Sequence, residues 1–242
     1  MKINFNGSLE FQNKPDPEPH EIDLSSFTNI IMDLYSFSID IHSGTNYHVT
    51  ICGNDKDYVT AEVKEQTLFI SEKGHNSNSF TFNHSFKINK IIVTVPEDAP
   101  LNTLQANEHA GSVLLSDLNM QQLKLKNEAG STKLLNVTIT KEAKLNLEAG
   151  SLSISHCNIN LKAKLSAGSV KIDNLQGKSQ FVLSSGSFKM TDNNNIKTGY
   201  DLSANIGTIY FHGNREGQSF YCLGDDQNQV TVQCRVGSIK IQ

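Results

Sequence analysis

The sequence predicts an all-β fold, a right-handed parallel β-solenoid with coils of about 18–21 residues. The first observation behind this prediction is a glycine followed by a hydroxyl residue, which recurs through the second half of the chain. These pairs begin at Gly111, Gly130, Gly150, Gly168, Gly186, Gly207 and Gly237. Such a period is typical of a solenoid, in which each coil buries its apolar face against its neighbours. Crossovers between parallel strands of one sheet are overwhelmingly right-handed.

The second observation is the alternation of apolar and polar residues around each glycine. Positions two and four after the glycine are apolar in almost every coil, as in Val170 and Ile172. The positions five and one before the glycine are apolar in almost every coil too, the second of them mostly alanine, as in Ala149 and Ala167. Alternation with period two indicates strand, so we expect all these positions to point inward. The glycine pair then absorbs a one-residue slip in a bend or bulge.

The chain is expected to divide into two parts. Residues 1–20 read as an N-terminal strand and a Pro-rich linker, and residues 21–242 as one β-solenoid domain. Within that domain we expect irregular coils over 21–96 and regular coils over 97–242. A solenoid has open ends that invite aggregation, so the N-terminal strand is expected to cover an end, in a second molecule for example.

Composition and charge exclude several classes of protein. A net charge of -4 and a pI near 6.0 do not fit the basic stripe of a nucleic-acid binder. No apolar run approaches the ~20 residues that span a bilayer. The N-terminus lacks the apolar stretch of a signal peptide, so a cytoplasmic location is favoured.

The four cysteines are expected to be free thiols, which fit a reducing compartment. A Cys222–Cys234 bridge is the alternative. The seven Gly-Ser or Gly-Thr hydroxyls are equivalent, so none is singled out as a nucleophile. No P-loop, dinucleotide-binding or zinc-protease motif is present, and no cofactor is expected.

One outward column of the repeat is basic. Three positions after the glycine come Lys133, Lys171, Lys189 and Lys240, with Tyr210 in the same column. A row of cations along a β-face can bind an acidic polymer or an anionic lipid surface. Lysine on an exposed strand also keeps the face soluble, and this alternative stays open.

A second outward column brings together His109, Glu128 and Glu148, two positions before the glycine. Neighbouring rungs are about 4.8 Å apart, so these side chains can converge. Two carboxylates at that separation match a retaining glycosidase, and with the histidine they match a divalent-metal site. The alternative is a solvated face whose like charges are eased by Lys126 and Lys164.

Three stretches carry a family resemblance: IIVTVPEDAPLNTLQANEHAGSVLLSDL, LKLKNEAGSTKLLNV and LNLEAGSLSI. This succession, with its Val95-Pro96 junction, resembles a large bacterial family described as putative adhesins, a domain of unknown function. The match covers about residues 30–242. The resemblance implies a β-solenoid domain, bacterial origin, and association with the cell envelope or cell surface. It brings no catalytic residues.

The function expected from the sequence is a non-enzymatic binding or scaffold module, which presents solenoid faces to an envelope component, a glycan or a protein. One alternative is a polysaccharide-active β-helix enzyme, and another is a cytoplasmic partner in envelope-stress regulation. The expected partner is a protein or polysaccharide rather than nucleic acid. A homo-oligomer through the solenoid ends or the N-terminal strand is also expected.

Overall fold

The computed structural model describes residues 18–73, 89–192 and 197–242. These residues form an all-β fold, which confirms the predicted class; sixteen strands join in one sheet, with one short 3-10 turn at Lys56–Tyr58. The strands are β1 His20–Asp23, β2 Asn29–Leu34, β3 Ser38–Gly44, β4 His48–Cys52, β5 Val59–Lys64, β6 Thr67–Glu72, β7 Lys90–Pro96, β8 Leu101–Ala110, β9 Val113–Ser116, β10 Asn119–Leu135, β11 Thr138–Gln176, β12 Lys178–Thr191, β13 Gly199–Phe211, β14 Asn214–Gly217, β15 Ser219–Cys222 and β16 Gln229–Ile241. The N-terminal strand predicted within residues 1–20 lies largely outside the described residues.

The repeated glycines lie in one column across parallel neighbouring strands. Gly130 of β10 is the register partner of Gly150 in β11, and Gly168 of β11 is the partner of Gly186 in β12. The backbone turns at each of these residues, with φ of 147° at Gly168. A Cβ on Gly168 would lie 1.7 Å from the carbonyl oxygen of Gly150. Glycine is required here because the backbones stack directly on one another.

One column of side chains that we expected to point inward, the residue directly before the glycine, points outward at the corner. Side chains five and seven positions before the glycine are buried, as are those two and four positions after it, except that Phe211 is half-buried. The residue directly before the glycine is instead exposed, as at Ala129, Ala149 and Ala167. The sequence-based prediction was wrong for this column. The positive φ of the glycine turns the chain, so the two residues before it both face solvent.

The last two coils are not stacked in sequence order. β16 pairs in parallel with β12 on one side and with β13 on the other. Gly237 therefore lies between Gly186 and Gly207, although it follows both in the chain. The terminal rung is β13, and its outer edge carries the antiparallel strands β14 and β15.

The N-terminal end has the same kind of insertion. β2 and β3 form a rung between β8–β9 on one side and β6–β7 on the other. Antiparallel strands again continue the sheet outward, with β5 on β6, β4 on β7 and β1 on β4. Covering strands with charged and polar side chains reduce edge-to-edge association.

The interior is an apolar column filled mainly by aliphatic side chains. Its largest members include Phe37, Phe181, Phe188 and Tyr200, each essentially inaccessible to solvent. Phe181 and Phe188 pack edge to face, with ring centroids 5.1 Å apart. All four cysteines are free thiols, so the Cys222–Cys234 bridge is not formed. Among the described residues no helix is long and apolar enough to cross a membrane.

Candidate functional site

Three lysines occupy consecutive rungs on the outer face of the strand that follows the glycine corner. Lys171 is the register partner of Lys189, and Lys189 is the partner of Lys240. All three side chains are exposed. We call these residues the lysine row. Because neighbouring rungs are about 4.8 Å apart, the row forms a line of regularly spaced cations.

The row is continuous because of the inserted coil. In sequence order Tyr210 separates Lys189 from Lys240, but β16 brings Lys240 beside Lys189 and moves Tyr210 to the end. Tyr210 in turn is the register partner of Arg215 in β14, which adds a further exposed cation. Lys133 lies apart, since its neighbours are Leu114 and Ser153. The structure thus brings together four of the five residues of the predicted basic column.

The lysine row has no acidic partner among the described residues. None of its three members forms an ion pair within 4.0 Å over 18–73, 89–192 and 197–242. The flanking columns consist mainly of hydroxyl and amide side chains, with Asp173 the acidic residue two positions beyond Lys171. Like charges directly opposite one another in a sheet are destabilising. The row is therefore a line of cations without a direct acidic partner among the described residues.

Lysines on the strand before the corner are arranged differently. Glu142 accepts hydrogen bonds from Lys144 at 2.8 Å and from Lys162 at 2.9 Å. These two bonds, that of Lys144 first, lower the pKa of Glu142 to about 2. The positive charge of this face is thus interleaved with carboxylates, in contrast to the lysine row.

A polar groove of about 570 Å³ opens on that same face, at the start of the strands before the corner. Its lining includes Lys141, Glu142, Asn160, Lys162 and Lys178. Asn160 Oδ1 accepts a hydrogen bond from the backbone N–H of Lys178. Glu142 pairs with Lys162 in this groove, whereas Lys141 and Lys178 form no ion pair among the described residues.

The predicted His109, Glu128 and Glu148 column forms a partial cluster. His109 Nδ1 lies 2.8 Å from Glu128 Oε2, and its ring stacks on Tyr35 with centroids 4.5 Å apart. Lys126 Nζ lies 2.6 Å from Glu128 Oε1 and 3.9 Å from Glu148 Oε1. The hydrogen bond from Lys126, followed by that from His109, lowers the pKa of Glu128.

This arrangement bears on both chemical interpretations of the column. In the described part of the chain no three His, Cys, Asp or Glu side chains are placed to hold a metal ion. Lys126 lies between the two carboxylates and attracts both. A general acid needs a raised pKa, whereas that of Glu128 is lowered. The metal role of these residues stays a prediction.

Several functional candidates carry no signal in the repeat. Arg215 lies in a hairpin outside the coil pattern and joins the lysine row only through antiparallel pairing. Ile206 and Val236 occupy the column predicted to be buried, yet are 66% and 42% exposed. The exposure of this aliphatic pair can be recognised only from the geometry of the corner, not from the repeat pattern.

The matching protein family is described as Toastrack DUF4097, and its model matches residues 27–221. The chain belongs to this family. The match ends before β16, the strand that is inserted between β12 and β13. A comparison with curated proteins gives no match.

Three solved structures align over nearly their whole length. A putative cell adhesion protein from Clostridium sporogenes ATCC 15579 is 15% identical, with 93% of this chain and 98% of that chain covered and a TM-score of 0.42. A putative adhesin from Bacteroides fragilis NCTC 9343 is 17% identical, with 93% and 96% covered and a TM-score of 0.41. A putative lipid binding protein from Parabacteroides distasonis ATCC 8503 is 20% identical, with 94% and 97% covered and a TM-score of 0.41.

Proposed function

We propose that this chain is a non-enzymatic binding module of the cell envelope whose lysine row holds an extended anionic partner. The observation that carries the proposal is the line formed by Lys171, Lys189 and Lys240 on consecutive rungs, with no acidic partner among the described residues. A line of free cations on a flat β-face matches a ligand whose negative charges also recur along a line.

The electrostatic repulsion among the three lysines of the row supports the same conclusion. Three ammonium groups on adjacent rungs repel one another in the free protein. An anionic ligand removes this repulsion and adds attraction, so binding relieves a cost built into the fold. Exposed charges act through solvent, so the affinity should fall as salt rises.

The lowered pKa of Glu128 does not fit the general acid of a glycosidase at the His109 column. A retaining glycosidase needs one carboxylic acid that is protonated before reaction. Glu128 is held as an anion by Lys126 and His109.

We further infer that residues 21–242 fold as one solenoid domain whose coils wind right-handed, because parallel crossovers strongly favour that hand. The protein acts at the envelope, to which the family resemblance points. Detection of the native protein only in the cytosolic fraction of its cells would contradict this location.

The binding proposal is tested with a soluble acidic polymer, polygalacturonate, and neutral dextran as the control ligand. The triple substitution Lys171→Gln, Lys189→Gln, Lys240→Gln should weaken polygalacturonate binding at least about tenfold. The matched control is Lys124→Gln, Lys144→Gln, Lys162→Gln, which removes the same charge from neighbouring rungs of the other face. Equal losses in the two triples would overturn the assignment of the row as the site.

A second readout separates binding from stability. Because the row is self-repelling, Lys189→Gln should raise the free energy of unfolding by about 0.5 kcal/mol at low salt. Lys144→Gln should give no such gain, since it removes a partner of Glu142. Unchanged stability of the Lys189 variant at low salt would contradict the repulsion argument.

A further inference from the structure

The last two rungs carry an exposed aliphatic pair at the glycine corner. Ile206 and Val236 are register partners, and they are 66% and 42% exposed. The same column holds alanine or serine in the preceding coils: Ala110, Ala129, Ala149, Ala167 and Ser185. Large aliphatic side chains thus appear at the corner only on these two adjacent rungs of the repeat. We call Ile206 and Val236 the apolar corner.

Cations lie on both sides of the apolar corner. Arg235 directly precedes Val236 on the strand before the turn, and Lys240 follows four residues later on the strand after it. Both side chains are exposed. Lys240 is the last member of the lysine row and lies on the same strand as Val236, so the row ends beside the apolar corner. Exposed apolar side chains at the turn are thus flanked by a cation on the strand before it and a cation on the strand after it.

An aromatic side chain completes this end of the row. Tyr210 lies on the rung of Ile206, is the register partner of Lys240, and is 39% exposed. Arg215 follows it on the outermost strand. Among the described residues no ion pair involves Arg215, Arg235 or Lys240, although Glu216 lies on the same hairpin.

We propose that the apolar corner inserts into the surface of an anionic lipid bilayer, with the lysine row and the two arginines against the headgroups. This inference rests on the proposed function, since the row supplies the charge. Peripheral membrane binding usually needs two signals, buried apolar area and attraction to anionic lipids. The corner and the row supply one each, on adjoining parts of one surface.

The shape of the surface favours a bilayer over a soluble polymer. A polymer that follows the lysines gains nothing from aliphatic side chains on the adjacent ridge. At a convex corner Ile206 and Val236 protrude, so they can enter the headgroup region while cations on either slope stay in water. Tyrosine with an apolar ring and a polar tip suits the same depth.

The experiment is co-sedimentation of the whole chain with vesicles of phosphatidylcholine alone or mixed with phosphatidylglycerol. The wild-type protein should bind the mixed vesicles and leave the neutral ones unbound. The double substitution Ile206→Ser, Val236→Ser should reduce vesicle binding on the order of tenfold or more. Ile31→Ser, Phe69→Ser is the matched control, since these register partners are each 37% exposed at the other end of the solenoid.

Polygalacturonate separates the two proposals. The Ile206, Val236 double variant should keep its affinity for this polymer, whereas the lysine-row triple should lose both ligands. Unchanged vesicle binding by the double variant would overturn the insertion, even if the row binds polymer. Unchanged polymer binding by the triple would instead overturn the proposed function.

Insertion itself has a direct optical readout. The sequence contains no tryptophan, so Ile206→Trp introduces a single reporter. Its emission should shift to shorter wavelength with phosphatidylglycerol vesicles and be quenched by brominated lipid. An emission that stays as in water while the protein sediments with the vesicles would contradict insertion.

Discussion

Glu108 and Asn127 lie side by side on neighbouring rungs of the interior, and each buries one side-chain oxygen without a hydrogen-bond partner among the described residues. Glu108 Oε1 accepts a bond from the backbone N–H of Ala110. Asn127 uses its amide hydrogens on Gly111 O and Thr132 Oγ1, which leaves Oδ1 unsatisfied. Burial raises the pKa of Glu108 to about 8. The neutral carboxyl is therefore favoured at this buried position.

The stability of the fold should therefore fall as pH rises from about 4.5 to about 8. Over this range the folded chain keeps the Glu108 proton and the unfolded chain loses it, so folding takes up a proton. Below the range both states are protonated and the full contribution is present. Glu108→Gln should flatten this part of the curve, because the amide stays neutral throughout.

Thermal unfolding followed by circular dichroism between pH 4.5 and 8.5 measures this effect. Glu97→Gln is the control, because Glu97 is exposed and should leave the wild-type slope intact. A Glu108→Gln variant that loses stability with pH as steeply as the wild type would show that Glu108 does not carry the dependence.

The glycine column should be intolerant of even one methyl group. Gly168→Ala would place its Cβ 1.7 Å from Gly150 O, so the stacked backbones must move apart. We expect a loss of more than about 4 kcal/mol in the free energy of unfolding. Gly213 also has a positive φ, 85° rather than 147°, but a Cβ there would meet nothing within 4 Å.

Gly213→Ala measures the effect of a Cβ at a positive φ where no atom is close. Gly213→Ala should cost about 1–2 kcal/mol, the price of the left-handed backbone alone. Urea titration gives both values. Similar losses in the two variants would mean that the close stacking at Gly168 is not what requires glycine.

The attachment of β1 should weaken as pH rises above about 6.5. His48 contacts Glu21 Oε2 at 2.5 Å and Asp23 Oδ1 at 2.8 Å, and both carboxylates lie on β1. The hydrogen bond to Glu21, then that to Asp23, raises the pKa of His48 above 6.5. The stabilisation is therefore complete below about 6.5 and is lost as pH rises through the raised value.

Hydrogen exchange of the Ile22 amide tests this at pH 6 and pH 8.5, after correction for the intrinsic rate. Protection should fall at the higher pH in the wild type. In His48→Gln it should be low at both values, since glutamine cannot carry the charge. Equal protection of the wild type at both pH values would contradict the prediction.

Much of the fold follows from the sequence because the repeat reports its own geometry. The glycine period and the alternation around it identify the strands, the corner and most of the buried columns. The prediction that Ala149 and Ala167 point inward was wrong, because alanine fits either side of a strand. Only the φ of the following glycine decides which way the alanine side chain points.

The order of the coils and the composition of the site lay beyond the sequence. A periodic pattern fixes what each coil looks like but not which coil it stacks on. Lys240 therefore seemed separated from Lys189 by Tyr210, whereas the insertion of β16 makes the two lysines neighbours. Arg215 has no repeat signal at all, because antiparallel pairing in a hairpin brings it to the row.

The inserted coil can be tested with pairs of cysteines. Ser187 and Ser238 are register partners on adjacent rungs, about 4.8 Å apart, which a disulfide can span. Thr208 is the partner of Ser238 on the next rung, so it lies about twice as far from Ser187 and beyond the ~7 Å limit. Ser187→Cys with Ser238→Cys should therefore cross-link under mild oxidation.

Ser187→Cys with Thr208→Cys should stay reduced. Mass spectrometry of the linked peptides distinguishes both pairs from products of the native thiols. Cross-linking of the second pair and not the first would place the coils in sequence order and separate the lysines of the row.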